Sequence, residues 1–573
     1  MSTGIISGKK PGTHEEEWWA VQDNRDRFRS LTYHNYGKLP KVTLSALTET
    51  GKAESTIPVP QQRSYTRKNP VIRSALADTP CADLGMNGVL KELNATLGTS
   101  YTLNNPVLSS ILESFIRQDY DFGTLYGNLR PYWYGLYVAE HISQEYNRDR
   151  EGRQNMVKNN RISDGNVQPR RVWDLYANRV VPYWVARDSA WAISHAWVSS
   201  EDRIDLWTPI NGYEWPVPIP KDADLNLIRI ELLNLRAEYV WLDVLCLRQE
   251  GGCRENLRRE EWKVDVPTIG AIYRKAVVVY YLSGLGRPFC LKPGDLESDR
   301  CWFRRAWTLQ EVSNKYIIGG ETDDHSMDRD MRQTVEQRLH SLNLVNPGSV
   351  FDILREMQNR VSTKPLDKVA GLAYILFRES IPIYDETQSE EDAWGSLVDV
   401  MSVGYRTDLL FLYPEPGNGC KRWRPSWNQI KAMPPRPWNH FVAFSAAIRT
   451  DETGADWCKC AYIKSGTVHG LGEVSNKGMP RPGELVVIGS TGVPCTLKIL
   501  ADHAYPIPDG SYTLIDSFST LSGYQPSLRW AVGRQRWDGK FEKVSVIQLA
   551  DMDEHWKLWS VPQVHVNGKI FLC

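Results

Sequence analysis

The chain has 573 residues, of which 42% are hydrophobic, and its 68 Lys and Arg residues are balanced by 69 Asp and Glu residues. This length predicts about two to four domains, and the net charge of −1 excludes a protein whose whole surface is basic for nucleic-acid binding. A local basic patch stays possible, but the sequence carries no nucleic-acid signal. No apolar run approaches the roughly 18 residues of a membrane-spanning helix, so we expect no membrane span.

The N-terminal region is polar. Residues 1–75 mix Gly, Pro, Lys and Thr with little periodicity, which predicts partial disorder. The first residues contain no apolar signal-peptide core, and the ten cysteines are scattered along the chain. These two features predict reduced thiols and a cytoplasmic location.

Residues 76–171 are predicted to form a helical region followed by a linker. The segment Pro106–Arg117 has apolar residues at helical spacing and a proline at its start, which favours a helix. Residues 147–171 are charged and poor in apolar side chains, which is typical of a linker.

Residues 172–320 alternate between strand and helix patterns. The predicted strands are residues 191–197, 239–247 and 276–283, and the predicted helices are residues 220–236, 266–275 and 301–312. Such alternation predicts an α/β domain with a parallel sheet that is covered by helices on both faces.

In the remainder of the chain, the predicted secondary structure changes from helical to β-rich near residue 413. Residues 321–412 carry helical patterns, whereas residues 413–573 contain short β-rich runs between Pro and Gly turns. The second pattern predicts a small all-β sandwich or barrel. Cys458 and Cys460 lie two apart without a second pair nearby, so we interpret them as strand residues rather than as metal ligands.

One candidate site lies on the predicted helix 301–312, CWFRRAWTLQEV. There Phe303, Trp307 and Glu311 fall at positions i, i+4 and i+8, and Arg304 lies about one turn below Trp307. Two interpretations remain open. The carboxylate of Glu311 serves a ligand site beside bulky aromatics, or it pairs with an arginine and only stabilises the helix.

Two further candidates end the predicted strands. Asp243 interrupts the apolar run YVWLDVLCLRQ, and a buried carboxylate needs a partner or a ligand. His195 follows Ser194 at the end of WAISHAW, where a histidine is either a hydrogen-bonded core residue or a catalytic one.

The segments WAISHAW, YVWLDVLCLRQ, VPTIGAIYRKAVVVYYLS and FRRAWTLQE resemble, in order and spacing, the fungal heterokaryon-incompatibility (HET) domain. The resemblance covers residues 172–320, and the trailing segment STKPLDKVAGLAYIL resembles the region that follows such domains. Members of that family typically have ALSYCWG where this chain has WAISHAWVSS, so the glycine after Trp197 is absent.

HET domains are themselves similar to TIR domains, and the resemblance therefore implies a TIR-like (flavodoxin-like) fold. TIR enzymes place their catalytic glutamate four residues after a tryptophan. Trp307 and Glu311 have this spacing, which implies that Glu311 is catalytic and that NAD is the substrate. The resemblance implies no separate cofactor and no metal.

By the same resemblance, seven residues are expected to bind the substrate. Trp197 or Trp307 would stack on a ring of NAD, and Arg304 or Arg305 would contact its pyrophosphate. The full set is Ser194, His195, Trp197, Asp243, Arg304, Arg305 and Trp307.

Two functions follow as expectations. The first is a cell-death effector in self/non-self recognition that hydrolyses NAD, with a site completed by self-association. The second is a non-enzymatic signalling module that acts by homotypic assembly. In either case the C-terminal region, with Trp530, Trp537, Trp556 and Trp559, is a candidate for partner recognition.

Overall fold

The computed structural model describes residues 36–134, 139–186, 190–323, 327–345, 349–433, 447–473, 480–517 and 528–573. Within these ranges the chain forms two compact units. The first consists of the described parts of Met1–Lys158, Asn166–Arg304 and Glu311–Glu336, and the second consists of those of Asn159–Gly165, Arg305–Gln310 and Gln337–Cys573.

A six-stranded mixed sheet lies at the centre of the first unit. Its strands, in chain order, are β1 (Arg171–Asp174), β2 (Arg179–Pro182), β3 (Ala190–His195), β4 (Tyr239–Trp241), β5 (Val278–Tyr281) and β6 (Tyr316–Ile318). They lie in the spatial order β6-β5-β3-β4-β1-β2. Strands β3 to β6 are mutually parallel, and β1 is antiparallel to both β4 and β2.

The α/β class is therefore confirmed, but the prediction of a wholly parallel sheet is wrong. The antiparallel edge is a hairpin whose loop is stabilised locally. Asp174 accepts hydrogen bonds from the backbone N–H groups of Tyr176 and Ala177 at 2.8 and 3.1 Å, and Asn178 adopts the left-handed conformation with φ of 54°. Asp and Asn favour such turns for these reasons.

Strand β4 is shorter than the sequence predicts. It ends at Trp241, and Asp243–Cys246 forms a short helix where the strand was expected to continue to residue 247. Asp243 is the first residue of this helix, where a negative charge interacts favourably with the helix N-terminus, and its carboxylate accepts a hydrogen bond from the N–H of Val244 at 2.8 Å.

The predicted helix over residues 301–312 is also wrong. Two short 3-10 turns, Trp302–Arg304 and Trp307–Glu311, take its place. The N–H of Ala306 donates to the carbonyl of Val361 at 2.9 Å, so this donor is not available for a continuous helical ladder. Phe303, Trp307 and Glu311 consequently do not share one helical stripe.

The helices of the first unit precede its sheet in sequence or lie between the strands of the sheet. Their bounds are Ala46–Thr50, Ser74–Ala77, Cys81–Leu97, Pro106–Arg117, Phe122–Leu129, Ala139–Met156, Tyr183–Ala186, Leu225–Asn234, Asp243–Cys246, Glu255–Asp265 and Ile269–Lys275. Helix Ala139–Met156 occupies the first part of the predicted linker. Further 3-10 turns are Glu54–Thr56, Pro60–Gln62, Arg130–Tyr132, Ser200–Asp202, Pro209–Asn211 and Asp295–Glu297.

The polar N-terminal region differs in part from its prediction. Residues 1–35 lie outside the described residues. Residues 36–75 are folded, and within them strands Val42–Ser45 and Ser64–Arg67 form a hairpin. Leu44 and Tyr65 of this hairpin are fully buried, and that burial explains the order of a segment without clear periodicity. A second hairpin of this unit pairs Arg203–Leu206 with Val217–Pro220.

Helices precede the β-rich part of the second unit. They are Val350–Gln358, Leu366–Leu376, Glu390–Val400, Val403–Phe411 and Trp427–Ala432, and helix Arg329–Val345 joins the two units in sequence. The short strands Arg161–Ile162 and Ile381–Pro382 pair within this unit, and Val157–Lys158 is a short strand of the first.

Eight antiparallel strands complete the second unit. They are β7 (Ala447–Thr450), β8 (Asp456–His469), β9 (Arg481–Ile488), β10 (Pro494–Ala501), β11 (Gly510–Asp516), β12 (Arg529–Gln535), β13 (Phe541–Leu549) and β14 (His565–Phe571), with helix Met552–Trp559 between the last two.

Six of these strands close on themselves. The order is β8-β9-β10-β13-β12-β11, and β11 pairs again with β8, while β7 and β14 pair with the first half of β8. Leu485, Leu497, Leu514 and Val532 are fully buried in the resulting core. All ten cysteines lie within the described ranges and are outside any disulfide there, and Cys458 and Cys460 are buried on β8.

Candidate functional site

The candidate site lies at the carboxyl ends of β3 and β5. From β3 the chain leads to β4 on one side, whereas from β5 it leads to β6 on the other side. Adjacent parallel strands whose connections diverge in this way form a crevice at their carboxyl ends, and ligands of open α/β sheets bind there. Ser194 is paired with Tyr280, and His195 with Tyr281, at this edge.

Glu311 is held in this edge by both its side chain and its backbone. The hydroxyl of Ser194 donates a hydrogen bond to Oε2 of Glu311. The Tyr280 hydroxyl donates to the backbone carbonyl of Glu311 at 3.1 Å and accepts from the N–H of Ser313 at 2.9 Å. Glu311 is only 8% exposed, so its carboxylate has a fixed position.

Trp302 determines the direction of this hydrogen-bond chain. Its indole Nε1 donates to the Ser194 hydroxyl oxygen at 2.6 Å, and both side chains are buried. An indole N–H can only donate. The hydroxyl proton of Ser194 is therefore directed at the carboxylate of Glu311.

His195 and Asp243 form a second polar pair. Nε2 of His195 lies 2.9 Å from Oδ1 of Asp243, and their side chains are 5% and 24% exposed. Burial lowers the pKa of His195, but the negative charges of Asp243 and Glu311 and the hydrogen bond to Asp243 outweigh it, and the net pKa is raised.

The negative charges of Glu311 and Asp243 both act on the hydroxyl of Tyr273. Burial is the largest cause of the raised pKa of Tyr273, and the negative charges of Glu311 and Asp243 raise it further. The Tyr273 hydroxyl donates to the carbonyl of Ile193 at 3.0 Å, inside β3. Glu311, Asp243 and His195 are thus parts of one electrostatic cluster.

Trp197 and Arg304 have partners of their own in the first unit. The ring of Trp197 lies 5.7 Å from that of His195 at an interplanar angle of 21°, and the guanidinium of Arg203 lies 5.7 Å from the same ring. Arg304 forms an ion pair with Asp299 at 3.0 Å. Stacking on NAD would require Trp197 to share or exchange these contacts.

Arg305 and Trp307 belong to the second unit. The carbonyl of Arg305 accepts a hydrogen bond from Arg360 at 2.8 Å, and the ring of Trp307 lies 6.1 Å from that of Tyr384. A hydrogen bond from Trp307 also lowers the pKa of Asp367, which burial raises more strongly.

Of the eight predicted site residues, the structure therefore brings together Ser194, His195, Asp243 and Glu311, with Trp197 beside His195. Sequence reasoning did not select Trp302, Tyr273 and Tyr280. Trp302 stands in the same CWFRRAW segment as the predicted arginines, but the residue spacing does not reveal that its indole reaches Ser194 across 108 positions.

Two properties of the described residues bear on possible ligands. No group of three or more His, Cys, Asp and Glu side chains in the described part of the chain could hold a metal ion. In the same ranges, every helix is too short or too polar to cross a membrane.

Comparison with known proteins found no matching family model, no matching curated protein and no matching solved structure.

Proposed function

We propose that the first unit is a TIR-like NAD glycohydrolase and that the chain is a cell-death effector of the fungal heterokaryon-incompatibility type. The observation that carries this proposal is Glu311, a buried residue whose carboxylate accepts from Ser194 at the carboxyl ends of β3 and β5. The parallel strands also follow the order β4-β3-β5-β6, which corresponds to the 2-1-3-4 order of flavodoxin-like sheets.

A fixed carboxylate suits the cleavage of a glycosidic bond. When the bond between nicotinamide and ribose breaks, positive charge develops on the ribose ring. A carboxylate already in place stabilises this charge without a cost of reorganisation in the transition state. Glu311 has this role in the proposal, and Ser194 and Trp302 keep it oriented.

The test is the release of nicotinamide from NAD by the purified full-length protein. Glu311→Gln keeps the size of the side chain and one oxygen that can accept from Ser194, but it removes the charge, and we expect it to slow the release by about 100-fold or more. The matched control is Glu321→Gln, which alters an exposed ion pair with Arg332 in the same unit. Equal rates for the wild type and Glu311→Gln would reject the catalytic role.

A second candidate function is a signalling module that acts by homotypic assembly of the α/β unit. The burial of Glu311 also favours this second function, because a residue whose side chain and backbone are both hydrogen-bonded can serve to stabilise the fold. In this case Glu311→Gln retains cell-death activity in a fungal host, while variants that block self-association lose it.

The β-rich part of the second unit is proposed to recognise a partner protein. Among the tryptophans of this unit that the structure describes, Trp537 is the most exposed, at 92%; it lies at the turn between β12 and β13 and contributes little to the core. Exposed tryptophan side chains are frequent anchors of protein interfaces.

A further inference from the structure

We propose that Asp243 is the catalytic base that deprotonates the attacking water, and that His195 is the residue that positions it. This inference rests on the proposed NAD hydrolysis. It assigns the two carboxylates of the cluster different roles, with Glu311 acting on the ribose and Asp243 acting on water.

Asp243 has the more open of the two carboxylates. Its side chain is 24% exposed, whereas Glu311 as a residue is 8% exposed. Oδ1 of Asp243 accepts from His195 and from the N–H of Val244, at 2.9 and 2.8 Å. A carboxylate offers about four acceptor positions, so the partly exposed group retains capacity for a water molecule.

His195 is the obvious rival for the role of base, and its surroundings argue against it. The groups that act on its ring are the carboxylates of Asp243 and Glu311 and a backbone hydrogen bond with Ala196, and all three raise its pKa against the effect of burial. Tyr273 and Trp197 complete its neighbourhood. Nε2 of His195 lies 2.9 Å from Oδ1 of Asp243, and an ionised carboxylate can only accept, so this ring nitrogen is engaged as the donor to Asp243.

The position of Asp243 is fixed by two elements. Its backbone follows β4 and opens the helix Asp243–Cys246, and its side chain is tied to the end of β3 through His195. This arrangement holds the carboxylate at the same sheet edge as Glu311, where a water molecule could approach the ribose.

In the proposed step, the bond between C1′ of the ribose and the ring nitrogen of nicotinamide breaks, and its electron pair leaves with nicotinamide. The water oxygen forms a bond to C1′ while one of its protons passes to Asp243. The products are nicotinamide and ADP-ribose, and Asp243 then releases the proton to solvent.

The test compares two reactions of the same full-length protein. Hydrolysis needs a base, because the attacking water must lose a proton. Exchange of the nicotinamide of NAD for labelled free nicotinamide needs none, because the ring nitrogen that attacks C1′ carries no proton. The substitution Asp243→Asn keeps an oxygen that can accept from Val244 and His195, so we expect the local helix to persist.

For Asp243→Asn we expect ADP-ribose formation to fall by about 100-fold or more, while exchange changes by less than about threefold. Glu311→Gln should lose both reactions. The assignment is overturned if Asp243→Asn retains hydrolysis or loses exchange and hydrolysis equally. If the wild type shows neither reaction, the proposed function itself fails, and the assignment falls with it.

His195→Ala and His195→Gln together distinguish positioning from mere structural support. Glutamine can still donate to the carboxylate of Asp243, whereas His195→Ala removes the donor that lies 2.9 Å from its Oδ1. We expect His195→Ala to slow hydrolysis by about tenfold or more and to change exchange by less than about threefold, and His195→Gln to recover part of the lost hydrolysis. A uniform loss of both reactions would contradict the positioning role of His195.

Discussion

At the scale of single residues, the indole of Trp302 sets the direction of the hydrogen bonds that end on Glu311. Trp302→Phe removes the donor to Ser194, and we expect a loss of about 1–3 kcal/mol in the free energy of unfolding. We also expect slower NAD cleavage, because the Ser194 hydroxyl is then free to turn away. Urea denaturation and nicotinamide release measure the two effects.

Trp133→Phe is the matched control for that substitution. Trp133 is equally buried in the first unit, and its indole donates to the hydroxyl of Thr99 at 2.9 Å. It should lose a similar amount of stability but retain the rate of NAD cleavage. If Trp302→Phe also retains the full rate, the chain from Trp302 to Glu311 does not serve catalysis.

The His195–Asp243 pair predicts a pH dependence of stability. The pKa of His195 is raised in the folded protein, chiefly by Asp243 acting against burial. The ion pair therefore stabilises the fold fully below the unfolded pKa of about 6.5, and this contribution disappears as the pH rises through the higher folded pKa. The gap in unfolding free energy between the wild type and His195→Gln should be wider at pH 6 than at pH 9. A gap that is constant or widens with pH would contradict the ion pair.

At the scale of elements, helix Leu225–Asn234 fastens the N-terminal segment to the sheet through Arg229. The guanidinium of this fully buried residue donates to the carbonyls of Leu175 at 2.7 Å and Ile72 at 2.7 Å. Lysine cannot reproduce this planar set of donors. Arg229→Lys should therefore cost about 3 kcal/mol in urea denaturation, because buried carbonyls lose their partners.

Arg300→Lys provides the comparison for Arg229→Lys. The Arg300 side chain is 60% exposed, and its ion pair with Asp202, at 3.5 Å, lies at the surface. We expect the effect of this substitution to stay within about 0.5 kcal/mol. Similar small losses in both variants would show that Arg229 does not hold the segment.

The elements that the sequence predicts well are those determined by local burial. Strand β5 is an apolar run, and the structure buries all four of its residues. The segment around Trp307 could not be predicted in the same way, because the N–H of Ala306 bonds to Val361, a residue 55 positions away. The same limit applies at the site: the sequence indicates Ser194 and Glu311 separately, but their contact spans 117 residues and leaves no local pattern.

At the scale of the whole molecule, the proposed self-association predicts that activity depends on protein concentration. If the α/β unit completes its site only in an oligomer, the rate of NAD cleavage per mole of protein should rise with concentration and level off. Size-exclusion chromatography over the same range should show a matching increase in mass. A constant specific activity from a monomeric protein would exclude the need for assembly.

The central claim is that this chain cleaves NAD and that Glu311 carries the reaction. The most direct measurement is nicotinamide release in parallel time courses with concentrated wild-type protein and Glu311→Gln, each shown to be folded. We predict that the wild type releases nicotinamide and that the rate of the variant is lower by about 100-fold or more. Equal rates from the two proteins, or no release by the wild type at any concentration, would contradict the account.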